Sequence, residues 1–355
     1  MDGQRHGNDP GGARRSTRRQ VLTALGLAGF GAAGLGIARA LGLGARPTPT
    51  TRPRVIARPT PTAMATPAPL ETLDTPVSLV FTGDIMLGRT VNYEMLRSGH
   101  DFPFTHTTDF LHGFDLTIGN LECVVSRLGT PEPKTYTFEA DPLGFQRLVD
   151  AGFSVVSVAN NHSGDYGKAA FADMLGHLPK YGITAIGGGM NEAEAHKPAY
   201  FTFGTTTIGL LAYCDIDPSY FAATATTPGH AWLDADAMAA DVHAAHKQCD
   251  FLIVFTHWGT EYHSDQNSDQ VDMAHLAIDR GASLVVGAHP HVIQPSEIYR
   301  GKLIVYSLGN FVFDYMTNPV TSHGHLLTLS IHRSRLLSWK LVDAYIGDWG
   351  EPALG

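Results

Sequence analysis

Cysteine is scarce in this chain. The three residues, Cys123, Cys214 and Cys249, form no Cys-x-x-Cys pair and are odd in number, so neither a thiolate zinc site nor a disulfide scaffold is expected. Cys214 and Cys249 lie within or beside apolar runs and read as small buried hydrophobes. No serine occupies a Gly-x-Ser-x-Gly elbow, which leaves a covalent side-chain nucleophile with little support. No internal repeat is visible. Acids are nearly absent from the start of the chain: residues 1–60 carry ten arginines, no lysine and only Asp2 and Asp9, a charge of +8. The remainder reverses the balance, with 15 basic against 32 acidic residues, a charge of −17. Nucleic acid and anionic membrane surfaces are therefore disfavoured as partners of the larger part. An anionic group can still bind there if a local metal ion reverses the field.

What is present begins with an export pattern. Arg14-Arg15-Ser16-Thr17-Arg18-Arg19 precedes an uncharged stretch from Gln20 to Ala38, rich in Leu, Ala and Gly. A basic head before a moderately apolar run reads as an export signal over residues 1–45. Thr17-Arg18-Arg19-Gln20-Val21-Leu22 resembles a twin-arginine signal. Ala38-Arg39-Ala40 offers small residues for cleavage; the alternative is an uncleaved membrane anchor. Residues 46–76 contain eight Pro and eight Thr and read as an extended, disordered tether. A domain over residues 77–345 follows.

The 355 residues are 43% hydrophobic, enough for one large core or two ordinary ones. Val77–Phe81, Leu116–Ile118, Val155–Val158, Phe251–Phe255 and Leu284–Val286 are short, continuous apolar runs and predict buried strands. Helices are expected over Lys168–Tyr181, Asp234–Gln248 and Ser268–Arg280. Two apolar runs around Gly204-Thr205-Thr206 predict a hairpin over Pro198–Tyr213. A late β-rich block has runs at Leu303–Ser307, His325–Ile331 and Leu336–Asp343. Mixed βα units with hairpins point to a layered α/β fold.

One regularity carries the chemistry. Each of the five expected strands is followed by polar residues able to bind metal: Thr82-Gly83-Asp84, Gly119-Asn120-Leu121-Glu122, Ala159-Asn160-Asn161-His162, Thr256-His257-Trp258-Gly259 and Gly287-Ala288-His289-Pro290-His291. Ligands of open α/β sheets bind beyond the carboxyl ends of the strands. Carboxylate, amide and imidazole together favour a divalent first-row ion such as Mn, Fe or Zn. Two such ions bridged by a carboxylate can polarise a phosphoryl oxygen and ionise a water. Other histidines are not recruited. His243 and His246 fall on an expected helix and read as solvated, and His323-Gly324-His325 has metal-like spacing but no neighbouring carboxylate in the sequence.

These strings, with Phe81-Thr82-Gly83-Asp84-Ile85-Met86 at the start and Tyr306-Ser307-Leu308-Gly309-Asn310-Phe311 at the end, resemble the successive motifs of the CapA family of capsule and poly-γ-glutamate biosynthesis proteins. The similarity covers about residues 77–335, with six motifs in order. The resemblance implies a calcineurin-like metallophosphoesterase fold, a four-layer sandwich of two mixed β-sheets flanked by helices. It also implies roles: Asp84 and His291 as ligands of a first metal, Glu122 as the bridging carboxylate, and Asn161, His257 and His289 as ligands of a second. His162 would protonate a leaving oxygen, and Arg89 would contact an anionic substrate. Met86 stands where the wider superfamily has histidine, so one or two ions remain open. The implied function is that of an exported protein at the cell surface or anchored to the membrane. It would process an anionic polymer or a phosphoester alongside membrane polymer-synthesis proteins. The alternatives are a general exported metallophosphoesterase and a non-catalytic polymer-binding subunit of an export machine.

Overall fold

The computed structural model describes residues 74–99, 101–216 and 219–355. The export pattern and most of the Pro/Thr-rich tether lie outside the described residues. Two main sheets are built from β1 (Val77–Ile85), β2 (Leu116–Leu121), β3 (Val155–Ser157), β4 (Thr184–Ile186), β5 (Ala199–Phe203), β6 (Thr206–Cys214), β7 (Phe251–His257), β8 (Leu284–Ala288), β9 (Ser296–Tyr299), β10 (Lys302–Val305), β11 (Asn310–Val312), β12 (His323–His332), β13 (Arg335–Ile346) and β14 (Pro352–Leu354). The first sheet has the order β14-β13-β12-β1-β2-β3-β4, and β11 pairs with the end of β1. The second runs β9-β10-β8-β7-β6-β5. Neighbours within β1 to β4 are parallel, as are those within β6-β7-β8-β10; β12 joins β1 antiparallel.

Strand alternation sorts the apolar side chains into layers. Leu79 and Phe81 of β1 meet Phe251, Ile253 and Phe255 of β7 in the core between the sheets, where the Phe81 and Phe255 rings pack edge-on at 5.5 Å. Val80 points the other way. It shares the outer core with Val91 and Met95 of α1 (Arg89–Arg97), Phe145 and Leu148 of α2 (Leu143–Asp150) and Phe171 and Met174 of α3 (Gly167–His177). Leu252 and Val254 pack against Met238 and Val242 of α4 (Ala235–Ala245) and Ala274 and Ala277 of α5 (Ser268–Arg280). The layers are therefore helix, sheet, sheet, helix, the calcineurin-like arrangement. Strands covered on both faces must be apolar at every position, which is why they read as unbroken hydrophobic runs. Each buried Val, Leu, Ile or Phe side chain contributes about 1.5–3 kcal/mol.

Helix ends follow local chemistry. Asn267 and Gln270 close a capping box at the start of α5, and Gly281 ends it at φ 122°, so its range matches the sequence expectation. Asp234 caps α4 by accepting from the backbone of Asp236 and Ala237. The helix expected over Lys168–Tyr181 is α3 followed by a tighter 3₁₀ turn over Leu178–Tyr181. β1 and β7 run beyond Phe81 and Phe255 because their polar ends stay in the ladder. Asp84 pairs with Asn120 and with Asn310, and the register shifts between Phe81 and Asp84. The first sheet also continues past residue 345, where β14 pairs with Ala344–Ile346. At the other end, Asp74 accepts from His332 at 2.8 Å and Arg333 at 3.2 Å. No helix among the described residues is long and apolar enough to cross a membrane.

Candidate metal centre

The carboxyl ends of β1, β2, β3, β7 and β8 point to one place. At β1, a bulge at Thr82-Gly83 re-aims the strand. A Cβ on Gly83 would lie 1.8 Å from the Gly309 carbonyl oxygen, so only glycine permits this approach. Asp84 is thereby fixed at the base of the site: its Oδ1 accepts from Asn120 Nδ2 at 2.8 Å and its Oδ2 from the His289 backbone at 3.3 Å. After β8, His289 and His291 both adopt positive φ, 97° and 58°, on either side of Pro290. Non-glycine residues held this way cost on the order of 1–3 kcal/mol each and cluster at functional sites. The strained turn sets the two imidazole centroids 5.8 Å apart.

Glu122 sits at the convergence. Its side chain is fully buried and its Oε1 has no hydrogen-bond partner. Three imidazole nitrogens surround that oxygen: Nε2 of His291 at 3.7 Å, and Nε2 of His162 and of His257 each at 3.9 Å. None is close enough for a hydrogen bond. His257 Nε2 also lies 2.9 Å from Asn161 Oδ1, and its Nδ1 lies 3.1 Å from Asn120 Nδ2. His289 Nδ1 is buried without a partner. A bare carboxylate oxygen and a bare imidazole nitrogen, buried together, need an explanation. The separations of 3.7–3.9 Å are a few tenths of an ångström longer than the edges of about 3.3–3.6 Å between tetrahedral ligands at about 2.0–2.2 Å, so an ion would draw these donors inward. The residues present fit a divalent metal. Two triples can present ligand atoms within 4.8 Å of one another, Asp84-Glu122-His257 and Glu122-His289-His291. Glu122 belongs to both, as a bridging group would. The other members are divided differently from the division the resemblance implied.

The electrostatics point the same way. Burial, then the facing Asp84 carboxylate, pushes Glu122 well above the usual carboxylate range. Burial and the neighbouring imidazoles depress His257 and His289 well below the usual histidine value. Burial also works against the charged form of His291, but its contact with Asp84 outweighs this and raises it. A cation at this point would keep the carboxylates ionised and the imidazoles neutral.

Beside these groups lies a cavity of about 440 Å³, walled by Tyr136, Phe138, His162, Glu261, Tyr262 and His291 among others. His162 is held from behind. Its Nδ1 lies 2.7 Å from Asp165 Oδ2, and its ring stacks on Phe138 at 4.0 Å. Lys134 pairs with Asp165. Burial lowers the His162 pKa, against the pull of Asp165. Arg89 borders the same cavity, but its guanidinium is ion-paired with Asp314 and lies 4.7 Å from the centroid of Phe138. It forms part of the wall with its charge already met. Met86, at the position of the superfamily histidine, is fully buried in the outer core, and its Sδ accepts from Gly88 N at 3.0 Å. It faces away from ligand duty.

The family profile for the bacterial capsule synthesis protein PGA_cap matches residues 78–315. The chain belongs to this family. Among curated relatives, the PGA biosynthesis protein CapA of Bacillus subtilis (strain 168) is 35% identical over 244 residues, covering 68% of this chain and 64% of that protein. The capsule biosynthesis protein CapA of Bacillus anthracis is 30% identical over 246 residues, covering 67% and 60%. The match thus spans about three-fifths of the length of these relatives. A hypothetical protein from Thermus thermophilus overlays with a TM-score of 0.49 at 15% identity, over 75% of this chain and 98% of that one. A putative 5'-nucleotidase from Staphylococcus aureus overlays at 0.46 and 14%, over 75% and 54%. Overlays at this level do not bear on chemistry.

Several polar groups around the candidate metal centre have roles that the sequence alone does not mark. Asn120 and Asn160 belong to the strand-end motifs, yet only the fold reveals their linkage: Asn160 Nδ2 donates to Asn120 Oδ1 at 3.1 Å. Asn310 Oδ1 lies 2.9 Å from His291 Nδ1. Asp165 stands three residues beyond His162, a spacing that brings a carboxylate and an imidazole together in one turn.

Proposed function

We propose that this PGA_cap domain is an exported, metal-dependent hydrolase of capsule or poly-γ-glutamate biosynthesis, cleaving a phosphoester or a polymer linkage with water. The observation that carries the reading is Glu122 Oε1, buried, without a partner and ringed by three imidazoles. Asp84, Glu122, Asn161, His257, His289 and His291 would hold one or two divalent ions. When bound, such an ion supplies Lewis acidity to a substrate oxygen and lowers the pKa of water. The remaining work falls to the chain. With Nδ1 turned to Asp165, His162 leaves Nε2 on the cavity side, able to take a proton and return it to a leaving oxygen. Asp165 fixes the tautomer, Lys134 steadies Asp165, and Phe138 limits ring rotation. Tyr136, Phe138, Tyr262 and Phe313 give the cavity beside His162 a partly aromatic wall.

Metal analysis of the purified protein, followed by a screen of phosphoesters and γ-glutamyl amides with and without chelator, tests the reading. Chelator-sensitive turnover is expected. Bound metal with no turnover on either class would instead favour a non-catalytic polymer-binding role, a reading to which the loss of an imidazole at Met86 lends some support. Delivery of the domain to the cell surface, beside membrane polymer-synthesis proteins, belongs to the same proposal and rests on the arginine-rich start of the chain.

A further inference from the structure

His323-Gly324-His325 has no carboxylate nearby in the sequence, but the fold supplies one. β12 and β13 run antiparallel with His325 opposite Asp343 and His323 opposite Tyr345. Alternate residues share a face, so both imidazoles and the carboxylate lie on the same side of the sheet. His323 Nε2 is 2.9 Å and His325 Nε2 is 3.2 Å from one oxygen, Asp343 Oδ1. All three ligand atoms fall within 4.8 Å of one another. The Tyr345 ring stacks on His323 at 4.7 Å with 5° between planes, which fixes that imidazole. Half of the Asp343 side chain is exposed, so the group is open to solvent on one side.

We propose that His323, His325 and Asp343 form a second metal site, separate from the central one, for a borderline divalent ion such as Zn²⁺. Two imidazoles and a carboxylate are a common zinc donor set, with a fourth position left to water. They are too nitrogen-rich for calcium or magnesium. Zinc bonds of about 2.0–2.1 Å give tetrahedral ligand edges of about 3.4 Å, so the two nitrogens need to retreat from the oxygen by only a few tenths of an ångström. The position gives such an ion a structural task. His325 N donates to Leu308 O at 2.7 Å, and Asn310 Nδ2 donates to Thr321 O at 3.0 Å. An ion joining the start of β12 to β13 therefore clamps the segment that holds Asn310, the partner of His291.

The test uses the full chain, stripped with chelator, titrated with Zn²⁺ and freed of excess metal before the zinc per chain is measured. Wild type, His325→Gln and Asp343→Asn are compared. Each variant should melt with the wild type in chelator, bind one zinc fewer per chain, and show a smaller zinc-induced rise in Tm. Asp343→Asn is the safer of the two for folding, because the side chain is half exposed and keeps its size. A folded variant with the same zinc count as wild type overturns the proposal.

Discussion

Glu122 and its neighbour Cys123 separate two chemistries at adjacent positions. Cys123 is fully buried, and burial pushes its thiol up to about 12, so it holds its proton at neutral pH and is no nucleophile. Cys123→Ala is expected to leave metal content and turnover near the wild-type level. Glu122→Ala should lose metal and raise the barrier by several kcal/mol. His162→Ala should keep the metal and slow turnover by roughly a hundredfold. Metal content and rate measured on the three variants check this together; lost activity in a folded Cys123→Ala would contradict it. Legibility at this scale follows the same line. Asp84, Glu122, His257 and His289 were visible because each interrupts or ends an apolar run. Asp343 was not, because its histidine partners lie on another strand and nothing local marks it; Asn310 stood in a family motif, but its tie to His291 appears only in the fold.

Strands and turns position these groups, and two positions expose how. Gly83→Ala would drive a methyl group into the Gly309 carbonyl and part β1 from β11, costing on the order of 3 kcal/mol. Gly176, in α3, has nothing within 4 Å of an added Cβ, so Gly176→Ala should stabilise by about 0.5–1 kcal/mol. Denaturant melts of the pair give the two signs. Between the sheets and the loops, His230 is fully buried, and burial drives its pKa down to about 4, with the Ala231 backbone offsetting only part. Below the ordinary imidazole value near 6.5, the unfolded chain takes up a proton that the folded chain refuses until pH nears 4. Its contribution is present above pH 6.5 and lost as pH falls through 4, by up to about 3 kcal/mol. His230→Phe, placed beside Phe221 and Trp232, should flatten the fall in Tm between pH 7 and pH 4.5; an unchanged slope would contradict this assignment. The ends of β1 and β7 were less legible than α5. Capping chemistry marks a helix end locally, whereas a strand continues through Thr82 or His257 only because a neighbouring strand keeps pairing there.

For the whole molecule, the charge reversal between residues 1–60 and the remainder is the sequence feature on which the proposed export rests. Arg18→Lys together with Arg19→Lys should sharply reduce the amount of protein outside the cytoplasm; undiminished export would argue for another route. The layered α/β class was readable from the alternating βα pattern, and the four-layer sandwich from the family resemblance of the six ordered motifs. The clamp between β12 and β13 required the register itself. The central claim is that five strand ends assemble one metal site around Glu122. It is tested most directly by counting ions per chain in wild type and in Glu122→Gln, which keeps the size of the side chain but removes its charge. The account predicts one or two ions at the central site of the wild type, with Glu122→Gln retaining the fold but holding at least one ion fewer and losing turnover. Equal metal content in the two proteins would contradict it.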